Sequence, residues 1–475
     1  MPSGRPVPSA TGLPEPIRRR LQSLALWTFI AILAWAPFPL GGAMEWASSL
    51  QQFLILLCWC LWVASEYGNE AEVAANLKLV VAPFACVLVV LAWALLQTAS
   101  FLPAGWAHPA WPLAAQLLDD ALPATISVNP WRTETEILKL ASYVMAAWLA
   151  FCLARRAEMA MRLLNAVIAI GAFYALYGFA LHIAETGQPR VFYSLPFTPD
   201  YVSGPFMLHN SFATFCGLCM LAAVARLILL GGEHVVTERG PRPLLNSILH
   251  FVFSRGAPSV LTVILTFSAL VASASRAGLI ATLSGLAAMA LASLLMKREG
   301  RHWIMTGVFG GTLLILMLIL SSGGTLVDRL DAFLDTGMPD DVRRSLWEVA
   351  RRMIAEGPAF GHGLGTFQDA YPLYATRILP FVMDKAHCDY LEFAAGLGLP
   401  AAGLWWIALI FLFAQCLHGV RVRRRHQIFP LVGVGATVLV AVHSTVDFSL
   451  QLPAIALLYA ALLGLAVAQS FPTAR

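Results

Sequence analysis

The amino-acid sequence is a succession of apolar runs, each close to the roughly 20 residues that cross the hydrocarbon region of a bilayer. About twelve can be counted, near residues 24–42, 48–65, 79–100, 136–154, 163–184, 205–230, 258–275, 277–296, 302–321, 387–417, 428–446 and 450–470. They are continuous rather than alternating, so helices and not barrel strands must do the spanning. With 59% hydrophobic and 12% charged residues, the chain has more apolar surface than a water-soluble core can hide. The expectation is an all-α polytopic membrane protein of about 12 transmembrane helices, with one long external loop that contains short amphipathic helices.

Lys and Arg set the orientation. With the N-terminus inside, about 20 of the 31 basic residues fall on the inner side, among them Arg18 to Arg20, Arg155, Arg156, Lys297 and Arg423 to Arg425. About seven of the others lie in the long loop, where the bias carries little weight. Both termini are therefore expected inside and the loop outside. The plan is a tail over 1–20, helices one to nine over 21–321, the loop over 322–386, helices ten to twelve over 387–470 and a tail over 471–475. The Pro-rich stretch Met1 to Pro16 precedes an uncleaved first span. The eight cysteines lie in or at the ends of apolar runs, without metal-ligand spacing in a polar loop, and read as small core hydrophobes.

The long loop is the one extended polar interruption. Asp340-Asp341 precedes apolar residues at Val342, Leu346, Val349, Ala350, Met353 and Ile354, and Gly357-Pro358 closes the run. That spacing predicts an amphipathic helix on the outer membrane surface, with Arg343, Arg344, Arg351 and Arg352 along its polar flank. The loop holds about nine acids against seven bases, so its arginines are a local feature rather than a general basic patch. Gly361-His362-Gly363-Leu364-Gly365 fits neither a dinucleotide fingerprint nor a P-loop, and reads as a tight turn between surface helices.

Other polar groups gather at outer ends of spans. Arg276 sits in the tight hairpin Ser273-Ala274-Ser275-Arg276, where it either snorkels to lipid phosphate or binds an anionic substrate on the side of the long loop. His209 and Asn210 either cap a helix start or line a ligand entrance. His387, which opens the tenth run, is either structural or a base. His443 and Asp447 are four apart, share a helix face in this reading, and can hydrogen-bond each other. Glu45 reads as a solvated turn residue, and Asp119-Asp120 are the outer-loop acids open to a metal.

Taken together, several patches resemble the O-antigen ligase and O-antigen polymerase superfamily. These are Arg343 with Trp347, Gly-x-Gly-x-Gly-Thr-Phe at Gly361 to Phe367, His387 with Asp389-Tyr390-Leu391, and Leu397-Gly398-Leu399-Pro400. Leu208 to Ala213 and His443-Ser444 through Phe448 to Pro453 are similar to two further patches, so the likeness covers roughly residues 200–455. The resemblance implies a glycosyltransferase of the bacterial inner membrane whose active site faces the periplasm. It would use an undecaprenyl-diphosphate-linked glycan, without a metal or other cofactor and without nucleic acid. It maps catalytic roles onto Arg276, Arg343 and His387. Arg344, His209, Asn210, Arg377, Tyr390, His443 and Asp447 join them as candidate substrate-binding residues. The acceptor is lipid A core, a lipid-linked repeat or a protein hydroxyl, with lipid A core favoured by the twelve-span plan. Two other classes stay open: a metal-dependent glycosyltransferase using Asp119-Asp120, and a lipid-linked oligosaccharide transporter. A transporter would place ionisable groups near the midplane and show related halves, whereas the polar residues here collect at one face.

Overall fold

The computed structural model describes residues 12–184, 200–237, 256–296, 340–376 and 383–472, among which helices and no strands occur. In chain order the helices are α1 (Glu15–Trp35), α2 (Glu45–Ser65), α3 (Glu70–Leu79), α4 (Val81–Leu96), α5 (Ala110–Leu118), α6 (Pro130–Leu153), α7 (Ala157–Ile183) and α8 (His209–Thr237). They continue as α9 (Ala257–Ala272), α10 (Arg276–Ser293), α11 (Asp340–Glu356), α12 (Phe367–Tyr374), α13 (Asp389–Leu397), α14 (Leu399–Val422), α15 (Ile428–His443) and α16 (Pro453–Ser470).

Among the described residues seven helices are long and apolar enough to span a membrane: α2, α6, α7, α8 over His209–Leu230, α10, α14 and α16. The pair α3 and α4, bent by 85°, makes an eighth if it is one broken span. Helices α9 and α15 are apolar but shorter. The expected run 302–321 lies outside the described residues, as does Arg377. The run 387–417, expected as one span, is two helices. Gly398 at φ +81° ends α13, and Pro400 in the first turn starts α14, so the spanning segment begins at Leu399 rather than at His387.

Local signals fix where helices begin. Asn129 caps α6 by accepting from the Arg132 amide at 3.2 Å, with Pro130 in the first turn. Ser275 caps α10 by accepting from the Gly278 amide at 3.1 Å. Packing then depends on small residues. Every residue of α16 is buried, and its Gly464 lies against the Ala147 carbonyl of α6. A Cβ on Gly285 of α10 would stand 2.8 Å from the Gly435 carbonyl of α15, so the two backbones meet where neither residue has a side chain. Such close approach is what holds helices together where lipid supplies little hydrophobic drive between them.

The starts of α6, α8, α10, α14 and α16 and the ends of α4 and α15 share one end of the bundle, and α11 to α13 cover it. Leu346, Val349, Ala350 and Met353 of α11 are buried in a small core with Phe367, Ala370, Met383, Ala386 and Ala395. The apolar stripe expected to lie on the membrane surface is thus covered by protein. The cap is pinned from below by Gln97, which is fully buried. Its amide donates to the carbonyls of Phe360 and Gly396 at 2.7 and 2.8 Å and accepts from the Leu364 amide at 3.2 Å. Trp93 donates to the Leu397 carbonyl at 2.8 Å.

Candidate functional site

The glycine run does not cradle a ligand. The amides of His362 and Gly363 donate to the carbonyls of Ala395 and Gly396 at 3.0 and 2.9 Å, so the backbone donors a phosphate would need are engaged. Gly361 (φ +69°) and Gly398 (φ +81°) let the two backbones touch, since a Cβ on Gly361 would run into the Gly396 carbonyl and one on Gly398 into that of Ala359. This turn positions α13 and the segment before it.

That segment carries His387. The residue is buried, has φ +51°, a conformation that costs a non-glycine residue energy, and packs edge-on against Phe448 with ring centroids 4.9 Å apart. Its carbonyl accepts from Trp347 Nε1 at 3.3 Å, which ties it to α11. Arg343 lies one turn before Trp347 on that helix and so rises on the same face. His387 Nδ1 is 3.6 Å from Asp447 Oδ1, and His443 Nε2 is 4.0 Å from Asp447 Oδ2.

Asp447 lies beyond the end of α15, so it and His443 are neighbours through a turn and not along one helix face: its amide donates to the His443 carbonyl at 3.0 Å. Burial alone would raise the Asp447 carboxyl. The His387 and His443 imidazoles and the Phe448 amide, donating at 2.8 Å, outweigh it and hold the group down at about 2. Asp447 is therefore a carboxylate at neutral pH, facing two imidazoles.

His443 Nδ1 lies 2.6 Å from Ser449 Oγ and 3.2 Å from Thr214 Oγ1 of α8. At the start of α8, His209 Nδ1 donates to the Ser273 carbonyl at 2.8 Å, and the Tyr201 ring covers it with centroids 4.4 Å apart. Ser273 is three residues before Arg276, the first residue of α10, which is half-buried. The Arg343 guanidinium is close enough to act electrostatically on both His209 and His443. His387, Asp447, His443, His209, Arg343 and the Arg276 helix start are thereby gathered at the capped end of the bundle. Asn210 is half-buried beside His209.

Other expected residues lie differently. Arg344 is exposed on α11. Tyr390 donates its hydroxyl to the Ala441 carbonyl at 2.9 Å and packs its ring on Trp406. Glu45 is exposed in the first turn of α2. Asp119 ends α5 at φ +51°, and Asp120 accepts from the Ala121 amide at 2.8 Å; both are exposed. Among the described residues no three His, Cys, Asp or Glu side chains are grouped to hold a metal ion.

Asp389, within the motif Asp389-Tyr390-Leu391, is a further residue of this site. It is wholly buried and accepts from Ser444 Oγ at 2.6 Å, the Leu450 amide at 3.1 Å and Gln451 Nε2 at 3.0 Å. Burial still pushes its carboxyl up to about 7. Asp389 locks the 444–451 turn onto α13 and so sets the distance between Asp447 and His387. An acidic residue directly before an apolar helix was the available signal.

The fold is that of a multi-pass helical membrane protein whose polar residues converge under a helical cap at one end of the bundle. Residues 261–406 match the family model described as O-antigen ligase. The matched segment includes Arg276, Arg343 and His387. No curated protein matches the chain. The family match supports a membrane function of the glycan-transferring ligase or polymerase kind.

Proposed function

We propose that the protein moves a glycan from undecaprenyl diphosphate onto an acceptor hydroxyl, lipid A core in the first instance, at the periplasmic face of the bacterial inner membrane. The observation that carries this reading is the Asp447 carboxylate 3.6 Å from His387 Nδ1, with Arg343 one helical turn from the tryptophan that bonds His387. Arg276 and Arg343 hold the diphosphate, for which the always-charged guanidinium fork is suited. Asp447 orients the His387 ring and stabilises the imidazolium, which leaves Nε2 to take the proton of the acceptor hydroxyl. The freed oxygen forms the new bond to the anomeric carbon as the bond to the diphosphate oxygen breaks. Undecaprenyl diphosphate departs with the added negative charge, which the arginines stabilise. Attack from the face opposite the leaving group inverts the anomeric centre. Proton removal of this kind contributes roughly 10²- to 10⁴-fold.

Alternative acceptors keep the same chemistry: a lipid-linked repeat makes the protein a polymerase, and a Ser or Thr hydroxyl makes it a protein O-oligosaccharyltransferase. The test is transfer by the purified, reconstituted protein in EDTA, with each acceptor supplied in turn. Parent activity that survives EDTA and falls in Arg276→Ala supports the reading. Loss of activity in EDTA together with loss in Asp119→Ala would favour the metal-dependent alternative.

A further inference from the structure

None of the nine residues of α5 is charged and none is buried. Ala110, Leu113, Ala114, Leu117 and Leu118 recur at the three- and four-residue spacing of a single apolar helix face. Leu113, Leu117 and Leu118 are 55%, 76% and 66% exposed, and Phe101, in the link from α4, is 82% exposed. A contiguous apolar face left this open marks a contact with something outside the chain.

Two attachments set the height of α5 along the bundle. Phe360 of the cap stacks on Trp93, in the last turn of α4, and on Trp106, just before α5, with ring centroids 6.0 and 4.7 Å apart. Trp111, on another flank of α5, donates its indole N–H to the Ser127 carbonyl at 3.0 Å, four residues before Trp131 in the first turn of α6. Helix α5 therefore lies beside the capped ends of α4 and α6. Both helices show exposed apolar residues up to that level, Leu88 and Leu95 on α4 and Trp131 and Leu138 on α6, as lipid-facing sides of spans do. The open face of α5 continues that surface. The same segment grips the cap, since His108 is buried with its ring 5.0 Å from that of His362 and its Nε2 3.3 Å from the Tyr374 hydroxyl.

A second copy of the chain is the other partner to weigh, but three leucines cover little of the about 800 Å² that each partner of a stable dimer buries. Asp119 and Asp120, exposed directly after the helix, keep its C-terminal end in water, which suits a helix lying along a membrane surface. We propose that α5 is an interfacial helix whose Leu113, Leu117 and Leu118 sit among the acyl chains of the phospholipid leaflet on the capped side. Through Trp106 and His108 it ties the cap to the bilayer, so that the lipid surface holds the cap over the polar site.

The test uses the full-length protein in nanodiscs of phosphatidylethanolamine and phosphatidylglycerol, with photoreactive benzoylphenylalanine replacing Leu113, Leu117 or Gln116 in turn. Gln116 is exposed and lies about 120° round the helix from the centre of the apolar face. After irradiation, intact mass should show a one-phospholipid adduct from positions 113 and 117 at about five times the yield from position 116 or more. A cross-linked dimer in its place, no adduct, or equal yields from all three positions would overturn the lipid seat. The hold on the cap is read by amide hydrogen exchange in Leu113→Ser/Leu117→Ser. Exchange over 360–374 should quicken about tenfold while the buried α16 exchanges as in the parent. Should the double variant loosen α16 as well, Leu117→Ser alone is read in the same way. Exchange over 360–374 equal to the parent's would overturn the anchoring of the cap.

Discussion

The carboxylate of Asp447 stands 3.6 Å from Nδ1 of His387, although one residue follows α15 and the other precedes α13. Two imidazoles and a backbone amide hold Asp447 ionised against the cost of its burial. Because its folded-state value, about 2, lies below the ordinary range near 3.9, its contribution to stability is complete above about pH 4 and is lost as pH falls towards 2. The expected size is on the order of 2 kcal/mol. Thermal unfolding of the parent and Asp447→Asn in detergent should differ by a gap that is constant above pH 5 and narrows below pH 4. At neutral pH, Asp447→Asn should lower transfer about ten- to a hundredfold through loss of imidazolium stabilisation.

Arg343 tests whether charge or shape matters at the proposed donor site. Arg343→Ala should lower transfer about a hundredfold or more. Arg343→Lys should recover only a minor part, because an ammonium cannot grip a diphosphate through two parallel hydrogen bonds. The buried face of α11 is untouched by either change, so circular dichroism should match the parent.

Gln97 gives a prediction about the cap. Gln97→Ala leaves the Phe360 and Gly396 carbonyls and the Leu364 amide buried without partners, and should cost about 2–4 kcal/mol, read as a lower melting temperature. Gln97→Glu should do no better, since a carboxylate would face two carbonyl oxygens.

Asp389 has the opposite sign to Asp447. Its folded-state value is raised to about 7, so the protonated form favours the fold, and that contribution is complete below about pH 4 and lost as pH rises through 7. The parent's melting temperature should therefore fall between pH 5 and 8 by a component that Asp389→Asn lacks.

The helical, membrane-spanning character was legible in the sequence because apolar runs of spanning length have few other uses. The break at Gly398 was not, because the residues on both sides of it are apolar and only the positive φ separates α13 from α14. The apolar stripe of α11 is legible in the spacing of its residues but its protein cover is not, since periodicity reports that a face is covered and not by what. The four-residue spacing of His443 and Asp447 suggests one helix face, yet the helix stops at His443 and a turn brings them close. Gln97 and Asp389 act through partners far away in the chain, which no local pattern encodes.

The central claim is that His387, oriented by Asp447, deprotonates an acceptor while the arginines hold the donor. Its most direct test is the initial rate of glycan transfer from undecaprenyl diphosphate by the reconstituted protein, parent against His387→Ala, with donor binding measured in parallel. The account predicts a fall of about a hundredfold or more with donor binding retained. A His387→Ala protein that transfers at the parent rate would contradict it.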